Sequence, residues 1–284
     1  MEIKHVCILG AGTLGSRIAF QAALSGYWVK VYDIKEESFD SSKKMIAKIA
    51  KGLIASETYT KEAIDAALTR LSYTLSDVEA VAEADIISES VTEDSALKQK
   101  VWARMAQIAP EKTIFTTNTS YLLPSSLAPF TGRPTRFCAF HFHDVFYSKI
   151  VDIMPHPGTD ADVIEILHDF GQKLKQVPVI LKKENNGYIF NAMLLSFLGA
   201  AGKLLVNEVA TIQDIDKSWM VNFHVPMGPF AILDSIGLDT AWHVTHQLPD
   251  ANSKAFAALL KTYIDAGKLG EKSGEGFYEY PNEK

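Results

Sequence analysis

Three glycines in Gly10-Ala11-Gly12-Thr13-Leu14-Gly15, with a carboxylate further on at Asp33, are the residues whose types and spacing speak most directly of chemistry. The first glycine permits a tight turn, the second lets a pyrophosphate approach the backbone, and the third allows close helix packing. Thr13 and Leu14 then open a helix whose unpaired N–H groups and positive partial charge suit phosphate oxygens. Asp33 follows Gly10 by 23 positions and ends a strand-like run. There its oxygens can accept hydrogen bonds from ribose hydroxyls and would repel a 2′-phosphate. The pattern predicts a site for NAD rather than NADP, a preference that the nearby Lys35 tempers.

A second set of residues could move protons. His141 carries an imidazole, the side chain able to take a proton from a hydroxyl near neutral pH and to return it to a ketone. Standing alone, a histidine in an apolar run is ordinarily a packed core residue, and His143 is read that way. Asp152 ends the run KIVD, where a buried carboxylate is costly without a partner, so pairing with His141 would answer both needs. Glu93, Asn118 and Ser120 follow strand-like runs, at the sheet edge where open α/β folds bind ligands. Each would otherwise read as a cap or turn residue.

These residues need a scaffold, and hydrophobic periodicity supplies one. Residues 5–9 and 28–33 are short β-rich runs, and 13–25 between them has helical spacing and ends at Gly26, a βαβ unit. A charged, Ala-rich helical pattern fills 36–70, and strand signals recur at 71–74, 85–88, 113–117, 136–142, 149–154 and 176–181, with a helix-like segment at 160–174. Such alternation predicts a Rossmann-type, doubly wound α/β fold with a mostly parallel sheet. The polar stretch 182–187 breaks the pattern; beyond it 188–206, 211–221, 229–247 and 253–266 read as helices and only 277–280 as strand. The expected domains are therefore 1–182, which binds the dinucleotide, and a smaller, nearly all-helical 183–284. Segment 188–206 is too apolar to leave one face in water, which predicts a homodimer through the helical domain.

Composition narrows the function classes. Of 284 residues, 47% are apolar and 22% charged, enough for a sizeable core and too ordered a balance for a disordered tail. A net charge of −6 without a basic stripe speaks against nucleic acid and anionic membrane, leaving a small molecule as the expected partner. Cys7 and Cys138 both lie in strand-like runs and read as reduced, buried thiols, and no metal-ligand spacing stands out. The chain enters a strand without an apolar leader, and no run reaches a membrane span, so a cytoplasmic enzyme is expected.

Ordered motifs add a resemblance. GAGTLGSRIA at 10–19, ESVTEDSALK at 89–98, NTSYLLPSSLA at 118–128, HFHDV at 141–145, KIVD at 149–152, GYIFNAML at 187–194, VPMGPF at 225–230, LDSIGLD at 233–239 and LGEKSGEGFYEY at 269–280 together resemble the 3-hydroxyacyl-CoA dehydrogenase family. The resemblance implies NAD-dependent interconversion of an L-3-hydroxyacyl-CoA, such as 3-hydroxybutyryl-CoA, and its 3-oxo form. It implies that Glu93 and Lys98 lie beside the nicotinamide half of the cofactor, that Ser120, His141, Asp152 and Asn191 surround the reacting carbon, and that Lys272 is a further cofactor contact. Asn118 joins the cofactor set.

The chain also departs from the family pattern. HFHDV stands where the family has HFFNP, and Asp152 replaces a glutamate while lying one position closer to the histidine. Ala192 takes the place of a common arginine, and 36–57 lacks the Ser and Lys that hold coenzyme A in the family. Similar changes occur in diketoreductases and in the lambda-crystallin and L-gulonate dehydrogenase group. Hydroxy and keto acids or esters without coenzyme A are thus a second expected substrate class. A non-catalytic, crystallin-like NAD-binding protein is a third reading.

Overall fold

The computed structural model of the chain describes residues 1–280, which gather into two compact units, Met1–Ile189 and the residues from Phe190 on. In the first unit the strands are β1 (His5–Leu9), β2 (Trp28–Tyr32), β3 (Leu71–Thr74), β4 (Ile86–Glu89), β5 (Ile114–Thr117), β6 (Phe137–Phe142), β7 (Ile150–Met154) and β8 (Val177–Ile180). They form one sheet in the order β3-β2-β1-β4-β5-β6-β7-β8. Every neighbouring pair is parallel except β6 and β7. The helices of this unit are α1 (Thr13–Leu24), α2 (Glu36–Ala55), α3 (Lys61–Leu68), α4 (Asp77–Val81), α5 (Ser95–Ile108), α6 (Pro124–Leu127) and α7 (Ala161–Lys173).

The central strands are buried on both faces because helices cover each side, which is why they read as continuous apolar runs. Alternate residues serve separate cores: Ile8 packs with Phe20, Val31 and Leu167 on one face, and its neighbour Cys7 packs with Trp102 and Phe115 on the other. Cys7 and Cys138 are free, buried thiols. The helical pattern at 36–70 divides in two. Glu57 adopts a left-handed φ of 55° after α2, and the Thr60 hydroxyl accepts the Ala63 N–H at 3.2 Å to start α3. Local capping, to which apolar periodicity is blind, makes this break.

The antiparallel pair matters most for the site. A short connection, 143–149, returns the chain directly from β6 to β7 and sets His141 opposite Asp152 in the ladder. Asp144 shapes that connection by accepting the N–H groups of Phe146 at 2.8 Å and Tyr147 at 2.9 Å, and it is ion-paired with Arg17 of α1.

The second unit is helical: α8 (Phe190–Val206), α9 (Ile212–Phe223), α10 (Pro229–Ile236), α11 (Leu238–Thr245) and α12 (Ala251–Asp265). Leu198, Ile215, Phe230, Leu233, Phe256 and Leu260 form its core. Gly237, at φ +100°, breaks the expected 229–247 helix between α10 and α11. The segment 277–280, expected as a strand, makes only isolated bridges. Asp234 explains this outcome: it accepts the N–H groups of Phe277 and Tyr278, each at 2.9 Å, and the Tyr280 hydroxyl at 3.0 Å, so a carboxylate takes the place of a neighbouring strand. Asp216 does similar work at the start of α10, accepting from Phe230 N at 2.9 Å and Ala231 N at 3.1 Å. Among the described residues no helix is long and apolar enough to cross a membrane.

Candidate active site

The glycine loop joins β1 to α1 and is shaped by its contacts. Gly10 has φ +103°, and a Cβ there would lie 2.7 Å from the Ser90 carbonyl oxygen. A Cβ on Gly15 would run into the Gly10 carbonyl, whereas one on Gly12 would meet nothing within 4 Å. The loop is therefore closed beneath Gly10 and Gly15 and open above Gly12, beside a helix start with no side-chain cap on its N–H groups. Asp33 fixes the loop, its Oδ2 accepting Ala11 N at 2.8 Å and its Oδ1 accepting Lys35 N at 3.1 Å. This cradle fits the pyrophosphate of a dinucleotide, with free lone pairs of a carboxylate at the end of β2 for a ribose.

At the carboxyl ends of β4 and β5 stands a buried ionic cluster. Lys98 Nζ, on α5, lies 2.5 Å from Glu89 Oε1 and 3.3 Å from Glu93 Oε2. Lys98 and Glu89 are fully enclosed, and Glu89 also accepts Val91 N at 2.9 Å and Thr117 Oγ1 at 2.6 Å. A carboxylate so supplied bears burial well, since each oxygen has a donor and the countercharge is adjacent. Glu93 is half exposed and accepts the Thr119 hydroxyl and the N–H groups of Ser120 at 3.1 Å and Tyr121 at 3.3 Å. Glu93, Lys98 and Ser120, singled out from the sequence, thus meet in one place, with Ser120 exposed. Asn118 links this cluster to the next: its N–H donates to Glu89 O at 2.9 Å, and its Oδ1 accepts Phe142 N at 2.7 Å.

His141 lies at the carboxyl end of β6, 5% exposed, against a 2% exposed Asp152. Its Nδ1 is 3.5 Å from Asp152 Oδ2, an ion-pair distance without an aligned hydrogen bond, and the same oxygen is held by His143 Nε2 at 2.7 Å. Burial lowers the pKa of His141 from 6.5, against the opposing pull of Asp152 and Glu93. Burial raises that of Asp152, but contacts with both imidazoles outweigh it and hold the carboxyl below its ordinary range. The result is a neutral imidazole facing an ionised carboxylate. That charge favours the tautomer with the proton on Nδ1 and leaves the Nε2 lone pair free to take a proton.

Sequence reasoning passed over Tyr188. Its ring stacks on His141 with centroids 4.5 Å apart and planes 19° from parallel, and its hydroxyl donates to Thr119 O at 2.6 Å. Burial raises the Tyr188 pKa, so it stays a phenol and a donor. Thr119 touches Glu93 as well, so a continuous path of contacts joins Lys98, Glu93, Thr119, Tyr188 and His141. Glu89 and His143 were also missed. A signal existed for both: a carboxylate inside DIISE needs a buried partner, and residues two apart on a strand share a face. The two remaining candidates belong to the second unit: Asn191 opens α8, and Lys272 holds Asp239 Oδ1 at 2.5 Å.

Comparisons with known proteins follow the same division of the chain. Residues 5–184 match the family model for the NAD binding domain of 3-hydroxyacyl-CoA dehydrogenase, and 187–280 match that for its C-terminal domain. A probable 3-hydroxybutyryl-CoA dehydrogenase of Bacillus subtilis is 33% identical over 289 residues, covering 99% of this chain and 98% of its own. A solved diketoreductase, described as a substrate-directed dual catalyst of dicarbonyl compounds, superposes with a TM-score of 0.94 at 39% identity over 99% of this chain and all of its own. The (S)-3-hydroxybutyryl-CoA dehydrogenase of Ralstonia eutropha superposes with a TM-score of 0.88 at 28% identity, again over 99% of this chain and all of its own.

Proposed function

The chain belongs to the 3-hydroxyacyl-CoA dehydrogenase family, and from that premise we propose that it interconverts an L-3-hydroxyacyl-CoA and its 3-oxo form with NAD, using His141 as the proton carrier. The observation that carries this reading is a buried His141 held between the Tyr188 ring and the Asp152 carboxylate, at the sheet edge that also bears the glycine loop. Bound NAD supplies the hydride acceptor, or in the reverse direction the donor. His141 Nε2 takes the hydroxyl proton as the C–H pair leaves, and returns a proton to the alkoxide in reduction. Asp152 favours the ring tautomer this needs and stabilises the imidazolium once formed. Ser120 is assigned to the substrate oxygen and Asn191 to the same oxygen or to His141, as dipoles that meet the developing charge. Gly10, Gly12, Thr13, Leu14, Gly15 and Asp33 are assigned to the adenine-side half of the cofactor, Glu93 and Lys98 to its nicotinamide half, and Asn118 and Lys272 to further cofactor contacts. Polar groups gathered in this way serve no purpose in a purely structural protein, so the non-catalytic alternative is set aside.

One specific observation favours a second substrate class: the diketoreductase is 39% identical, against 33% for the Bacillus relative. Ala192 and the composition of 36–57 point the same way. The discriminating experiment compares acetoacetyl-CoA with a matched 3-oxo ester by NADH consumption. A ratio of kcat/KM above roughly a hundred, about 2.7 kcal/mol of transition-state binding, supports coenzyme A recognition. A ratio near one transfers the assignment to free acids or esters and leaves the dehydrogenase chemistry standing.

We assign the residues from 183 on to substrate binding and to a homodimer. Only Leu198, Ala201 and Gly202 of α8 are buried, while Met193 and Leu204, on one side of the helix, are exposed, an apolar face suited to a second copy. Sedimentation at micromolar concentration should give twice the chain mass; a monomer would contradict the assignment. The cytoplasm is the proposed compartment, in keeping with two free thiols.

A further inference from the structure

We propose that His141, His143 and Asp152 form a binding site for a divalent transition metal ion, Zn2+ above all, and that an ion held there silences His141. The silencing rests on His141 being the proton carrier; the site itself does not. Residues 141 and 143 are two apart on an extended segment, so both imidazoles leave the same face of the sheet. That the segment stays in register past β6 is shown by the ladder bond from His143 N to Ile150 O at 3.3 Å. Asp152 is the cross-strand partner of His141 and completes the set from the neighbouring strand. One donor atom from each residue lies within 4.8 Å of the others. A tetrahedral ion with bonds of about 2.0–2.1 Å spaces its ligands roughly 3.3 Å apart. The two observed separations from Asp152 Oδ2, 2.7 Å and 3.5 Å, bracket that spacing.

A second observation, independent of the spacing, points to a ligand. The His141 side chain is only 7% exposed, and its Nδ1 is buried with no hydrogen bond although it is turned toward the carboxylate. A buried ring nitrogen whose nearest carboxylate oxygen stands at 3.5 Å without a hydrogen bond is costly, and a metal ion between the two would satisfy it. Glu93 adds negative charge on the His141 side, while Arg17 and Asp144 of the adjoining segments neutralise each other. Two imidazoles and a carboxylate are a sufficient protein set for Zn2+, with water completing the coordination.

The consequence follows from tautomer chemistry. An ion bound through Nδ1 forces the single proton of the neutral ring onto Nε2, with no change in oxidation state. Nε2 then has no lone pair to receive the hydroxyl proton, so oxidation stops while the cradle for the cofactor is untouched. In this chain a histidine at position 143, where the family motif has phenylalanine, converts a catalytic dyad into a metal trap.

The test uses the full chain. Calorimetric titration with Zn2+ should show one ion per chain, and Co2+ should give the visible absorption of a nitrogen- and oxygen-ligated ion. The substitution His143→Phe should weaken Zn2+ binding at least about tenfold, and His143→Gln should do the same if the first variant misfolds. Saturating Zn2+ should lower wild-type turnover at least about tenfold, with recovery on chelation, and should change either variant less than about twofold relative to its own metal-free rate. Absence of stoichiometric binding, or unchanged affinity in both variants, would overturn the site. Binding that leaves wild-type turnover intact would overturn the silencing. Because calorimetry and the Co2+ spectrum need no turnover, an error in the substrate assignment cannot be mistaken for failure of the site.

Discussion

Two charged clusters sit at the same edge of the sheet, and they are built to opposite rules. In the Glu89–Lys98–Glu93 cluster every carboxylate oxygen named above has a donor, and Lys98 lies between two carboxylates. In the His141–Asp152–His143 cluster two imidazoles address one oxygen, and His141 Nδ1 is left without a hydrogen bond. The first arrangement fixes geometry, since a fully satisfied buried network is rigid. The second is poised, since a group that must gain and lose a proton cannot be locked into one protonation state by saturating partners. Position is supplied by the first cluster, through Asn118, Thr119 and Tyr188, and reactivity is kept in the second.

The sharpest way to break this contrast is to substitute one residue in each cluster. Lys98→Met should destabilise the fold by about 3–5 kcal/mol, because Glu89 is left as a buried charge without a countercharge. A fall in the denaturant midpoint at constant m would register it, and a variant of wild-type stability would show the cluster to be dispensable. His141→Gln should spare the fold and NADH binding yet lower turnover at least about a hundredfold, about 2.7 kcal/mol. If NADH affinity fell in proportion instead, His141 would be a structural residue.

How much of this was open to sequence reading depended on the range of the interaction. The eight strands and the glycine turn follow from local periodicity and spacing, and the sheet bears them out nearly residue for residue. The break between α2 and α3 and the bend at Gly237 were missed because each depends on one capping or left-handed residue inside an apolar pattern that runs through it. The loop at 277–280 looked like a strand because its aromatics alternate, while the acceptor of its N–H groups, Asp234, lies more than forty positions away in the chain. Within the site, His141, Asp152, Glu93 and Lys98 were legible as residue types. Their partners were not: Glu89 falls just past the strand signal at 85–88, Tyr188 opens the helical segment 188–206, and His143 reads as core. Asp152 was expected to pair with His141, and the two do form an ion pair at 3.5 Å, but the hydrogen bond of the carboxylate goes to His143 at 2.7 Å.

The central claim is that a neutral His141 accepts the hydroxyl proton, and the pH dependence of kcat/KM for NAD-linked oxidation tests it most directly. Burial favours the uncharged ring, so the free base persists below the ordinary imidazole value of 6.5 and activity should be lost only as pH falls through that lowered value. In reduction, which needs the protonated ring, the rate should instead fall as pH rises through the same region. Measured in metal-free buffer on wild type and His141→Gln, the predicted result is an acidic limb below 6.5 that vanishes from the residual rate of the variant. An acidic limb above 6.5, or the same limb in both proteins, would contradict the account.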